Sequence, residues 1–187
     1  MSDLRYPIGK FQWTPPQSEE QAVNDRAGYI DVLAKLPGKL RGSVQDLRPE
    51  QLDTPYRPEG WTVRQVVHHV PDSHMNAYVR FKLALTEEQP AIKPYKEAEW
   101  AKLPDSSITP IEVSLHLLAA LHARWVDVLK AMHASDFGRT MMHPEHGVLT
   151  LDRMLAMYAW HSEHHLAHIT SLRERLRWNR NAAAAHN

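Results

Sequence analysis

No cysteine occurs in the 187 residues, which excludes disulfides and thiolate metal sites and leaves the redox compartment open. Net charge is missing too. Twenty-two basic residues offset 22 acidic ones, and no long basic run is present, so a nucleic-acid partner is not expected. No apolar run reaches the roughly 20 residues of a membrane-crossing helix, and the N-terminus shows no signal-peptide pattern. A cytoplasmic protein without membrane contact is therefore expected. Convincing strand runs are lacking as well, which points to an all-α class. What remains is ordinary for one globular domain with a real core: 43% hydrophobic and 24% charged residues.

Histidine is the exception, with 13 copies. Four of them sit in the middle of Leu151 to Arg177, LDRMLAMYAWHSEHHLAHITSLRERLR. At about 100° per residue, His165 lies roughly 40° round a helix from His161, His168 roughly 20° to the other side, and His164 roughly 60°. Tyr158 and Met154 continue that stripe one and two turns earlier. An i, i+4 pair of imidazoles can hold one ion with little loss of rotamer freedom, and both His161/His165 and His164/His168 have that spacing. Two metalloenzyme patterns are absent. Ser162 stands where H-E-x-x-H needs its glutamate, and Glu163 falls about 200° from His161, pointing away. A Glu-x-x-His pair of the di-iron kind is also missing from this segment. An all-nitrogen mononuclear site fits better.

Along the chain, residues 1–17 read as an extended arm that Tyr6, Phe11 and Trp13 would pack onto the body or a partner, a loose tail being the alternative. Ser18 with Gln21 forms a capping box and opens a first helix, which Pro37-Gly38 should kink or break. Residues 50–60 are a connector. Thr62 with Gln65 caps a second helix, with Trp61 as a hydrophobic staple. On it Val66, His69, Ser73 and Ala77 share a stripe flanked by Asn76 and Arg80, which suits a pocket wall, while His68 sits about 100° away. Pro71 should kink the helix beside His69. Residues 87–108 read as loop, and Thr109-Pro110-Ile111-Glu112 starts a third helix with a capping box. Its His122 lies on an apolar stripe and reads as buried and hydrogen-bonded. Residues 134–149 read as a loop whose His143 and His146 are solvated or line an opening. Thr150 caps the fourth helix, and residues 179–187 read as a disordered tail after a domain spanning 1–178.

Four long amphipathic helices predict a four-helix bundle, in which metal sites lie between facing helices. His69 from the second helix with His161 and His165 from the fourth supplies three nitrogens. The fourth position would be open to water or substrate, as in catalytic zinc sites.

These residues carry a resemblance. GWTVRQVVHHVPDSHMNAYVRFKLALTEEQPAI (60–92), LHARW (121–125), HPEHGVLTL (143–151) and YAWHSEHHLAHI (158–169), with RYPIGKF and QLDTPYR earlier, resemble the YfiT-type metal-dependent hydrolases. That group lies in the DinB-like superfamily, which also contains bacillithiol S-transferases. The resemblance implies a DinB-like four-helix bundle, a homodimer, and one divalent ion per subunit on three histidines. It selects His69 over His68, eight residues after Trp61, together with His161 and His165. Pro71 departs from the pattern and puts the pose of His69 in question.

Two chemistries follow: hydrolysis of a small-molecule substrate, or activation of a low-molecular-weight thiol for transfer to an electrophile. Tyr158, as a donor to a leaving group, and Asp72, which could orient His69, are the catalytic candidates. Zinc is the expected ion, with nickel also suited to three imidazoles. A non-catalytic metal-binding stress-response bundle is the third reading, and a fourth protein ligand from His122, His164 or His168 would favour it.

Overall fold

A computed structural model of the chain describes residues 3–178. Four long helices dominate: α1 (Glu19–Val44), α3 (Val63–Thr86), α6 (Ile111–Ala131) and α7 (Leu151–Arg175). Between them lie three single-turn helices, α2 (Pro49–Leu52), α4 (Glu97–Trp100) and α5 (Asp105–Ile108). The long helices pack in a ring, α1 against α6 and α7, and α3 against α6 and α7. Consecutive helices α1 and α3 therefore stand on a diagonal, as do α6 and α7. A diagonal connection needs more chain than the short loops of an up-and-down bundle, which accounts for the long segments joining them.

The helix starts follow local chemistry. Ser18 Oγ accepts from the Gln21 backbone N–H, and Thr62 and Gln65 cap α3 reciprocally. Three local expectations are corrected. The Gln21 side chain accepts from the Gln17 N–H, so the α1 cap is not reciprocal. α6 is capped by Pro110 without a side-chain bond, because Glu112 reaches out to Arg41 on α1. Pro37 neither breaks nor ends α1, which runs seven residues beyond it. Residues 140–150 also form a hairpin, β1 (Thr140–His143) pairing antiparallel with β2 (Gly147–Thr150). Such four-residue strands turn only one or two side chains inward, too few for a visible alternation. Gly147, at φ +68°, takes the left-handed conformation that closes the turn. The hairpin seals one end of the bundle with Met141 and Leu149.

The core is in two parts. One contains Leu33, Phe81, Trp125, Leu151 and Leu155, and the other Leu40, Val66, Leu118 and Ile169. On each of α3, α6 and α7 the crossing between them is made of histidine: His69 and His74, His122, and His161 to His168. The bundle thus carries a polar layer across its middle. A polar layer is stable only where its nitrogens find partners. The tail at 179–187 lies outside the described residues.

Candidate metal centre

At the α3–α7 interface His69, His161 and His165 converge, each offering a ring nitrogen within 4.8 Å of the others. His69 Nε2 and His161 Nε2 are 3.4 Å apart. Two nitrogens each about 2.05 Å from one ion are separated by roughly 2.9 Å at a right angle and about 3.4 Å at the tetrahedral angle. The spacing is short enough for one ion to be shared by the two rings. Burial lowers the basicity of all three imidazoles, His69 to about 4 and the other two well below the usual range, and the neighbouring rings add to the effect. Neutral imidazole is the form that coordinates. The other histidines are engaged elsewhere. His68 Nδ1 meets Ser114 Oγ at 2.7 Å, and His168 Nε2 donates to the Arg5 carbonyl at 3.2 Å. His164 stacks on Trp160. Pro71 lies inside an unbroken α3 and His69 still faces α7.

A chain of hydrogen bonds runs back from His161. Its Nδ1 is 3.1 Å from His74 Nε2, His74 Nδ1 is 2.8 Å from His122 Nε2, and His122 Nδ1 is 2.6 Å from the Leu33 carbonyl oxygen. A carbonyl only accepts, so His122 must donate from Nδ1. Burial keeps the rings neutral, so His122 Nε2 accepts from His74 Nδ1–H, and His74 Nε2 accepts from His161 Nδ1–H. The lone pair of His161 is thereby placed on Nε2, facing His69. The anchor is itself a consequence of sequence. Pro37 has no N–H to give the carbonyl four residues earlier, which is Leu33, and His122 takes that acceptor. His122 thus fulfils the buried, hydrogen-bonded expectation, while His74 is the residue that sequence reasoning left without a role.

Replacing His122 by Phe should leave the Leu33 carbonyl and the His74 Nδ1–H unpaired and let His74 choose its tautomer. Metal affinity is expected to fall by up to about 10-fold, the low end of the cost of losing a partner directly behind a ligating histidine, because His122 acts through His74. Competition with a chromophoric chelator measures it; unchanged affinity would remove the chain's orienting role. Acid gives a second check on metal-free protein. The folded-state pKa of these histidines lies below the ordinary 6.5, so stability is full above that pH and declines as pH falls toward 4. Urea midpoints between pH 7.5 and 5 should decrease, and a flat profile would contradict neutral burial.

The histidines open into a cavity of about 620 Å³ walled by Trp61, Ser73, Arg80, Tyr95, Tyr158 and Trp160, with Tyr6 of the arm on one rim and His143 and His146 on another. The arm packs back on its own chain: Gly9 O accepts from Trp160 Nε1–H, Phe11 meets Trp160, and Tyr6 meets His164. Tyr158 faces this cavity, its hydroxyl beside Arg80 and Ser73, and burial keeps the phenol protonated. Asp72 does not reach the site. Its carboxylate does not line the cavity or bond to His69; burial, then Asp105, raises it to about 6. Glu163 points away from His161, as its register requires, and pairs with Lys39.

The sequence profile of the DinB superfamily matches residues 33–169. The chain belongs to the DinB superfamily. Among curated DinB relatives, proteins of Bacillus cereus and Bacillus anthracis named "Putative metal-dependent hydrolase" are 54% identical over 178 residues, covering 95% of this chain and 100% of their own. Among solved structures, "YfiT from Bacillus subtilis is a probable metal-dependent hydrolase with an unusual four-helix bundle topology" superposes with a TM-score of 0.88 at 48% identity, covering 94% of this chain and 99% of that one. The diagonal connections described above belong to that shared DinB bundle.

Proposed function

We propose that this chain is a metal-dependent enzyme in which His69, His161 and His165 hold one divalent ion, zinc as the first choice and nickel as the alternative, with a coordination position open to a small-molecule substrate. The observation that carries this reading is the convergence of three neutral imidazoles in the wall of one cavity. Three imidazoles with no carboxylate suit zinc, and nickel as well. The ion supplies Lewis acidity, acidifying a bound nucleophile and polarising a substrate oxygen. The chain's own residues do the rest. His74 and His122 hold the His161 ring and its tautomer, Trp61 packs on His69 at 4.6 Å between ring centres, and Tyr158 offers a protonated phenol toward a leaving group.

Hydrolysis is the first reading, in keeping with the names of the relatives. Transfer of a low-molecular-weight thiol to an electrophile is the second, and one observation favours it: Glu97 is the only carboxylate among the described cavity residues, and it sits exposed at the mouth. A thiol on an ion ionises with less help from a base than water does. A homodimer belongs to the same proposal, supported by the outward apolar residues Met75 and Val79 on α3 and Val113 and Leu117 on α6.

Elemental analysis of protein purified without an affinity metal, followed by assay with an electrophile and several small thiols beside a thiol-free ester and amide panel, tests the proposal. One ion per chain with turnover lacking thiol supports hydrolysis, and thiol-dependent consumption supports transfer. A stoichiometric ion with neither activity would leave the non-catalytic binding reading, and absence of any ion would overturn all three.

A further inference from the structure

Arg80 stands out electrostatically. Arg26, Arg64 and Arg173, with side chains 15%, 16% and 11% exposed, are each paired with a carboxylate, Asp152, Asp53 and Asp46. Arg80 is as deeply buried as Arg173, with 8% and 9% of the respective residues exposed; it donates from Nη2 to the Lys93 carbonyl at 3.1 Å and lies beside the Tyr158 hydroxyl. Among the described residues no carboxylate forms a salt bridge with it. Burying a cation without a counter-ion is destabilising, because its lost hydration is not replaced. Guanidinium cannot escape that cost by deprotonating. Arg80 lines the same cavity as the three histidines.

We propose that Arg80 is the anchor of a carboxylate-binding subsite in this cavity, so that the substrate is a small molecule bearing a carboxylate at one end and its reacting group at the other. A carboxylate has about four lone-pair positions and takes a guanidinium fork bidentately. Two phenols complete the donor set. The Tyr158 hydroxyl lies beside Arg80, and the Tyr95 hydroxyl is buried in the same cavity beside Ser73, with no hydrogen bond of good geometry. The spacing to the metal centre follows from the helix. Ser73 Oγ is 3.5 Å from His161 Nε2, and Arg80 follows seven residues later on the same face, about 10 Å along the axis. Helical side chains lean toward the N-terminus, which brings the guanidinium back toward Ser73 and to within reach of Tyr158. The anion and the reacting group of the substrate are thus separated by a few bonds.

The position of the reacting group rests on the proposed metal centre, whereas carboxylate binding does not, and the test separates the two. Calorimetry of the metal-loaded protein compares 3-mercaptopropionate with 3-mercaptopropanol, which share a thiol and chain length and differ in charge. Propionate and inorganic phosphate are titrated into metal-free protein, and metal content is measured in every sample. The expected result is at least a 10-fold advantage for the carboxylate, falling to near unity in Arg80→Gln with the neutral thiol's affinity and the ion stoichiometry unchanged. Arg80→Lys, which keeps the charge without the fork, should fall between them and guards against misfolding of the glutamine variant. Equal affinities in the unsubstituted protein, an advantage that survives in Arg80→Gln, or tighter binding of phosphate than of propionate would overturn the subsite. Arg80-dependent propionate binding in a protein that holds no ion would sustain the subsite while the metal reading fell.

Discussion

His161→Ala is expected to lower metal affinity by more than about 100-fold, beyond the ~10–100-fold that loss of an outer partner costs. His161 is the only one of the three whose ring is gripped from both sides: Nε2 faces His69 at 3.4 Å and Nδ1 bonds His74. Its removal deletes a ligand and also strands the His74 nitrogen in a fully buried setting. Alanine is the best helix former, so α7 should persist and the far-ultraviolet circular dichroism should change little. Elemental analysis with a competition titration reads the result. His69→Ala and His165→Ala should lose the ion in the same way, and stoichiometric retention in any of the three would strike that residue from the site.

The largest effect on stability is expected at Trp125. Its side chain is fully buried and packs edge-on against Phe81, Tyr158, His74 and His122, with ring centres 5.4–5.8 Å away. Trp125→Ala should cost about 3–5 kcal/mol through lost contacts and the cavity left behind. Trp125→Phe separates packing from polarity. The indole Nε1–H is buried without a hydrogen-bond partner, so phenylalanine loses volume while also removing an unsatisfied donor, and a cost below about 2 kcal/mol is expected. Urea unfolding at matched m-values decides it. Equal losses in the two variants would mean that the indole N–H has a partner after all.

Much of the site was legible because helical periodicity is a one-dimensional property. The i, i+4 spacing of His161 and His165 and the stripe through Val66, His69 and Ser73 describe two helix faces, whatever else the chain does. Hydrophobic runs on either side of those histidines required both faces to be buried, which brought α3 and α7 together. Cap residues located the starts of α1, α3 and α7 for the same local reason. Pro37 was legible as a residue with no N–H, yet of the two effects expected, a kink or a break, the break does not occur, because packing of α1 against α6 and α7 outweighs the lost bond. The hairpin at 140–150 was hidden by its shortness.

His74 shows where that reasoning stops. Five residues after His69 it lies about 140° round the helix, off the stripe that marks the site, and nothing in its neighbours reveals an acceptor. Only the approach of α6 and α1 supplies one, through His122 and the Leu33 carbonyl that Pro37 sets free. Arg80 is a similar case: its place beside the pocket-facing stripe could be read, but whether a carboxylate among the described residues pairs with it depends on every other element packed around it. Residue type and spacing along a helix determine which side chains share a face, because the helix repeats with a set angle. Which buried donor meets which acceptor is decided by contacts between segments far apart in the chain, and only the packed bundle brings those together.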